Sequence, residues 1–198
     1  YNCMSTENVR RQILLKSQKL FQAKGLGKIS MEDVAKAIEK GKSTLYYYFK
    51  SKDEIFSAVM DMEVDDIIMA TVKEMSLVDS FEDKLIAFSK VKLQSIQKRR
   101  SFFVTMERQM NPEEILHMHQ MKRSIHSSYL QKEKLVLLPL FMNAMAHQEA
   151  DREFVENTIV IFLSSLRGII RETLVHEQLP HAITLLQEYC KIFSRGLE

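Results

Sequence analysis

Glycine and proline are scarce in this chain. Its 198 residues hold 5 Gly and 3 Pro, about 4% together, against roughly 12% in an average protein. Turns and sheet corners draw on these two residues. The shortage excludes collagen-like, low-complexity and β-sandwich chains and argues against a parallel α/β sheet. No Gly occurs between Gly41 and Gly168. Leu, Met, Glu, Lys, Gln and Ala fill that space, and all are good helix formers. The expected class is all-α.

Cysteine is nearly missing too. Cys3 and Cys190 are too far apart for a disulfide framework, and no CxxC spacing offers a zinc site. Long apolar runs are also lacking. Leu135–Met142 and Ile159–Leu163 fall far short of the roughly 20 residues of a membrane span. The N-terminus has no apolar signal-peptide core. These absences predict a soluble, cytoplasmic chain of one or two domains with no membrane partner.

Charge is present but unevenly placed. Residues 1–57 hold eleven Lys/Arg against six Asp/Glu, a net of +5. Residues 58–198 hold seventeen against twenty, a net of −3. A basic first part on a slightly acidic remainder suggests an anionic partner for the first part alone.

Residues 7–24 read as a helix. Val9, Ile13, Leu14, Leu20 and Phe21 form its stripe, with Arg10, Arg11, Lys16 and Lys19 off it. Gly25 and Gly27 end it. Ser30 is an N-cap with Asp33 three residues on, and Val34, Ala35 and Ile38 follow. A second short helix begins near Lys42. Ser51 caps a fourth helix, with Glu54 at the capping-box spacing, running to about Met75. Two short helices joined by a tight turn make a helix-turn-helix unit. Long helices are expected at 80–99, 101–109, 113–146, 152–177 and 181–196. Pro139 should kink or break the third of these.

The segment Lys40–Lys52 holds four lysines and three tyrosines in thirteen residues, with no acid. On a helix only Leu45 and Phe49 need face the core. Lys42, Ser43, Tyr47 and Tyr48 are left outward, with Tyr46 at the edge. Such a helix can supply phosphate and base-edge contacts in a DNA major groove. Composition alone allows a second reading, a solvated charged face beside a buried aromatic cluster.

The order of residues separates the two. Ser30-Met31-Glu32-Asp33-Val34-Ala35-Lys36-Ala37, then Ser43-Thr44-Leu45-Tyr46-Tyr47-Tyr48-Phe49-Lys50-Ser51-Lys52-Asp53-Glu54-Ile55-Phe56, resembles the DNA-binding domain of the tetracycline-repressor (TetR) family of transcriptional regulators. The motif covers about 27 residues, and the family's plan covers nearly the whole chain. The resemblance implies an N-terminal three-helix helix-turn-helix domain, residues 1–51. A larger helical ligand-sensing and dimerisation domain, residues 52–198, would follow. It also implies DNA-binding roles. Lys42 and Ser43 would meet base edges, Thr44, Tyr47 and Tyr48 the phosphates or groove floor, and Tyr46 either. Lys52, at a helix start, would hold a phosphate.

One departure stands out. The family usually places a small residue, Gly, an apolar residue and a polar N-cap in the turn. Here those positions hold Ile38, Glu39, Lys40 and Gly41. The expectation is an altered turn with Gly41 as its permissive residue. Lys40 would add a phosphate contact.

In the second part the apolar stripe of 152–177 is too wide for a surface helix. Either it serves one large core, or it faces a second copy of the chain in a two-fold four-helix interface, as the resemblance implies. The interface residues would be Phe154, Ile159, Phe162, Leu166, Ile170, Leu186, Tyr189 and Phe193. Phe102, Phe103, Met106, Met110, Met121, Tyr129 and Met142 are candidates for a ligand pocket, since Met adapts to irregular apolar shapes. Plain core is the other reading of that set. The resemblance implies a small-molecule inducer there, apolar or amphipathic. His117 and His119 stand on different faces of a helix, and no phosphate loop or paired-acid motif occurs. No cofactor, metal or enzymatic activity is expected. The expected function is a homodimeric DNA-binding regulator, a repressor on a pseudo-palindromic double-stranded operator, released by an inducer. The alternative is a helical ligand-binding or protein-interaction module that binds no operator.

Overall fold

The computed structural model describes residues 3–107, 110–148, 150–175 and 179–197, with side chains for 6–99, 110–148, 150–175 and 181–197. The described residues form eight helices and no strand. They are α1 (Cys3–Lys24), α2 (Met31–Ala37), α3 (Lys42–Tyr48), α4 (Lys52–Met75), α5 (Phe81–Glu107), α6 (Pro112–Ala144), α7 (Arg152–Val175) and α8 (Leu179–Arg195). The all-α class with an N-terminal helix-turn-helix is the one observed. Two expectations are corrected. The helices expected at 80–99 and 101–109 are one, α5. Of the kink or break expected at Pro139, the break is absent, since α6 runs through it. Pro139 and Leu135, whose carbonyl loses its partner there, are both exposed, so water can take that carbonyl's hydrogen bond.

Packing divides the chain into two units, and the division runs within α4, α5 and α6. Residues 1–65 with 99–127 form the first unit, and residues 66–98 with 128–198 the second.

The core of the first unit is built from the predicted α1 stripe. Ile13, Leu14 and Phe21 are buried with Val34, Ala35, Leu45, Phe49, Ile55, Phe56 and Val59. Burying each large side chain contributes roughly 1.5–3 kcal/mol. Phe21 meets Phe56 edge to face, 5.6 Å between ring centres. Gly25, at φ 77°, closes α1 in the left-handed conformation that glycine adopts without a steric penalty. The N-cap of α2 forms as expected. Ser30 Oγ accepts the Asp33 N–H at 3.2 Å, and the Asp33 carboxylate accepts the Ser30 N–H at 2.8 Å. The Ser30 hydroxyl, which donates to the same carboxylate at 2.6 Å, and then the Ser30 N–H hold the Asp33 carboxyl below its ordinary range. At α4 the arrangement is shifted by one residue. Ser51 Oγ accepts the Glu54 N–H, but the Glu54 carboxylate takes the N–H of Lys50.

The second unit packs α7 against α8 over an aromatic cluster. Phe162 stacks on Tyr189 at 5.6 Å and meets Phe193 and Phe141 at 5.2 and 5.8 Å. Tyr189 donates to the Phe162 carbonyl at 3.0 Å, and burial pushes its hydroxyl up to about 12. Cys190 is fully buried, 3.3 Å from Ser89 Oγ, and burial pushes its thiol up to about 11. A charged pair lies inside this apolar unit. The ammonium of Lys92, 3% exposed, is joined to the carboxylate of Glu133, 2% exposed, and sits 4.7 Å from the Tyr129 ring centre.

Candidate nucleic-acid interface

α3 is seven residues long and starts without a side-chain cap, because its N-cap is Gly41. Two buried anchors hold it, Leu45 at 0% and Phe49 at 1% exposure. The Arg10 guanidinium covers the Phe49 ring at 5.2 Å. Positions 42 and 46, and 43 and 47, are i, i+4 pairs on adjacent rows of α3. Tyr46 is 52% and Tyr47 78% exposed, far above what two aromatic rings need for packing. Tyr48 is half-buried and meets Tyr47 edge to face at 5.0 Å. Lys40, Lys42 and Ser43 are exposed, and Thr44 is half-buried. Of the predicted DNA-facing residues of α3, Lys42, Ser43, Tyr46 and Tyr47 are exposed, and Thr44 and Tyr48 are half-buried.

Lys52 stands apart from that surface. Its ammonium donates to the Leu26 carbonyl at 3.0 Å, fastening the loop after α1 to the start of α4. An ammonium has three donors, so this bond leaves capacity for a phosphate. Nearby, Asp53 meets His117 of α6 at 3.0 Å.

A contact missed in the sequence spans the two arms of the helix-turn-helix. Glu32 of α2 pairs with Lys42 of α3 at 3.0 Å, and with Lys36 at 3.9 Å. The Lys42 bond is the main reason the Glu32 carboxyl is held below its ordinary range. Glu32 carried no signal in the sequence beyond an acid in a first helical turn.

Residues 13–59 match the model of the bacterial regulatory proteins, tetR family. Over those residues the chain is similar to the DNA-binding part of tetR-family regulators. No curated protein matches it. Among solved structures, Salmonella enterica GusR is similar over 95% of this chain and 96% of its own, at 17% identity and a TM-score of 0.64. The fatty acid degradation regulator FadR from Bacillus halodurans is similar over 93% of each chain, at 14% identity and a TM-score of 0.61. A TetR/AcrR-family transcriptional regulator from Thermobifida fusca is similar over 94% of this chain and 97% of its own, at 21% identity and a TM-score of 0.57. At these identities the likeness is one of fold.

Against the usual TetR-family turn, the structure corrects the expectation for Gly41. Its φ of −62° and ψ of 150° are ordinary extended backbone. The left-handed residue is Glu39, at φ 56°. Glu39 N–H reaches the Lys36 carbonyl and Lys40 N–H the Ala35 carbonyl, at 3.2 and 3.3 Å. That pair of bonds is a Schellman motif ending α2, with glutamate at the position glycine usually takes. The TetR-family turn thus ends α2 in the common way, around an uncommon residue.

The residues proposed for the TetR-family pocket and dimer are placed as follows. Met110 and Met121 are half-buried in the first unit. In the second unit Tyr129 is buried and Met142 is 43% exposed. The side chains of Phe102, Phe103 and Met106 lie outside the described residues. A cavity of about 450 Å³ in the second unit is lined by other residues, among them Ala70, Glu74, Leu77, Ile86, Lys90 and Gln94. Ile159, Phe162, Leu166, Ile170 and Leu186 are at most 2% exposed within the chain's own core. Tyr189 and Phe193 are half-buried, and Phe154 is exposed. The apolar side chains that α7 presents to solvent are Phe154, Ile161 and Val175. No described helix is long and apolar enough to cross a membrane.

Proposed function

We propose that this chain is a DNA-binding transcriptional regulator that reads its site through Lys42, Ser43, Tyr46 and Tyr47 of α3. Thr44, Tyr48, Lys40 and Lys52 supply phosphate contacts. The observation that carries this reading is the 78% exposure of Tyr47 and 52% of Tyr46, on a helix anchored by the buried Leu45 and Phe49. Two neighbouring rings left in water are costly unless a partner covers them. The net +5 of residues 1–57 suits an anionic partner. The alternative, a module that binds no operator, draws on the displaced glycine. The Schellman ending of α2 around Glu39 weighs against it.

The regulator acts as a homodimer. Two recognition helices about one DNA turn, roughly 34 Å, apart would read a pseudo-palindrome. The surface available for a partner on α7 is the row Phe154, Ile161, Gly168 and Val175, at seven-residue spacing. The three side chains are 55–61% exposed, and the space over Gly168 is open. Repression relieved by an apolar or amphipathic inducer completes the reading. One fold neighbour is named a fatty acid degradation regulator, which is in keeping with such a ligand.

Mobility shifts on the DNA flanking the chain's own gene test the proposal. Salt-sensitive, sequence-preferring binding is expected. Lys52→Ala should weaken binding to all sequences alike, and Lys42→Ala should also alter the preference. Binding that prefers no sequence removes the reading.

A further inference from the structure

We propose that Glu32 is a specificity-determining residue of the DNA-binding face, holding the Lys42 ammonium for base reading and away from the phosphates. The inference rests on the DNA-binding reading above. Glu32 and Lys42 stand on different helices of the motif, joined at 3.0 Å, with side chains 52% and 60% exposed. An exposed pair of this kind adds little to stability. Its effect is on where the lysine points. A lysine is a compact charge on a flexible stem. Set loose on a basic surface, it settles on whichever phosphate is nearest. Phosphate contacts orient a protein on DNA but carry no sequence information.

Lys42 is the first residue of α3, where no side-chain cap bond orders the helix start. The bond to Glu32 supplies order there from outside the helix. Of the ammonium's three donors, one is occupied by Glu32 and two remain for acceptors such as guanine O6 and N7. The carboxylate also repels phosphate oxygens, so Lys42 contributes least where DNA offers only backbone. Glu32 stays ionised in this role, held below its ordinary range by the Lys42 hydrogen bond first and by Lys36 as well.

The test compares wild type, Glu32→Gln, Lys42→Ala and the double variant. Each is titrated onto the duplex selected best from random DNA and onto a scrambled duplex of equal length. Both substitutions are surface changes, and melting curves check that each variant is folded. Released by Glu32→Gln, Lys42 takes up a phosphate. The slope of log K against log salt on scrambled DNA then steepens by about 0.9, which is about 3.5-fold more affinity lost between about 50 and 200 mM salt. Preference for the selected duplex falls by roughly fivefold or more. In the Lys42→Ala background Glu32→Gln leaves preference and slope unchanged. An equal effect with and without Lys42 overturns the proposal, because Glu32 then acts only as a repelling charge. Unchanged preference and slope in Glu32→Gln overturn it as well. A wild type that prefers no sequence is a different outcome, and it overturns the DNA-binding reading itself.

Discussion

Glu39→Gly tests the backbone path of the turn that leads into α3. Glu39 is exposed and sits at φ 56°, so it carries left-handed strain without packing in return. That strain costs an L-residue roughly 1–2 kcal/mol. Glycine removes it but loosens the unfolded chain by about 0.4–1 kcal/mol. The difference favours the variant by about 0.5–1 kcal/mol. In a chain of this length each kcal/mol moves Tm by about 2–4 °C, so Tm should rise by about 1–4 °C. Thermal melting without DNA, followed by far-UV circular dichroism, reads the shift. Gly41→Ser is the paired control. Its backbone suits any residue, and an added Cβ would meet Ser43 Oγ at an ordinary 3.6 Å. Serine also supplies the missing cap, a few tenths of a kcal/mol better than glycine. Gly41→Ser should therefore hold or raise Tm. A lower Tm for Glu39→Gly, or a loss above about 1 kcal/mol for Gly41→Ser, would refute the reasoning and return the permissive position to residue 41.

Three further outcomes are expected. Lys92→Met alone should cost about 3–5 kcal/mol in urea unfolding, because it strands the buried Glu133 carboxylate; adding Glu133→Leu should recover most of that loss. The Cys190 thiol, held up at about 11, should resist iodoacetamide at neutral pH in the native state and react after unfolding, as peptide mass spectrometry would show. Since its folded value is raised, the protonated thiol favours the fold, and that contribution is lost as pH climbs from about 9 through about 11. Tyr47→Ala should leave stability within about 1 kcal/mol, as only its edge contact with Tyr48 is lost, and should weaken DNA binding in a mobility shift by roughly fivefold or more.

What was legible in the sequence was mostly local. Ser30, Ser51 and Gly25 mark helix ends through bonds to residues three or four away, and the structure has those ends. The stripe of α1 was readable because its period is fixed by helix geometry. Breaks were over-read. Nothing around residue 100 interrupts α5, and Pro139 costs α6 one hydrogen bond at an exposed position. Contacts between distant residues were not legible. Glu32 with Lys42, Lys52 with the Leu26 carbonyl, and Lys92 with Glu133 each tie down a charged side chain that a sequence pattern assigns to solvent. The left-handed turn residue was missed for a related reason. Composition points to a glycine, whereas backbone bonds to Lys36 and Ala35 place the strain on Glu39.

The brevity of α3 has a consequence for how such a protein changes over generations. Seven residues are far fewer than the roughly 12–15 at which a helix persists alone in water. Its helicity is borrowed through Leu45 and Phe49, which never face solvent. Lys42, Ser43, Tyr46 and Tyr47 contribute almost nothing to that loan. They are at liberty to mutate, and on the proposed reading a new target sequence is reachable one substitution at a time without passing through an unfolded ancestor. A change at Leu45 or Phe49 would instead undo the helix on which all four stand, though neither residue touches solvent.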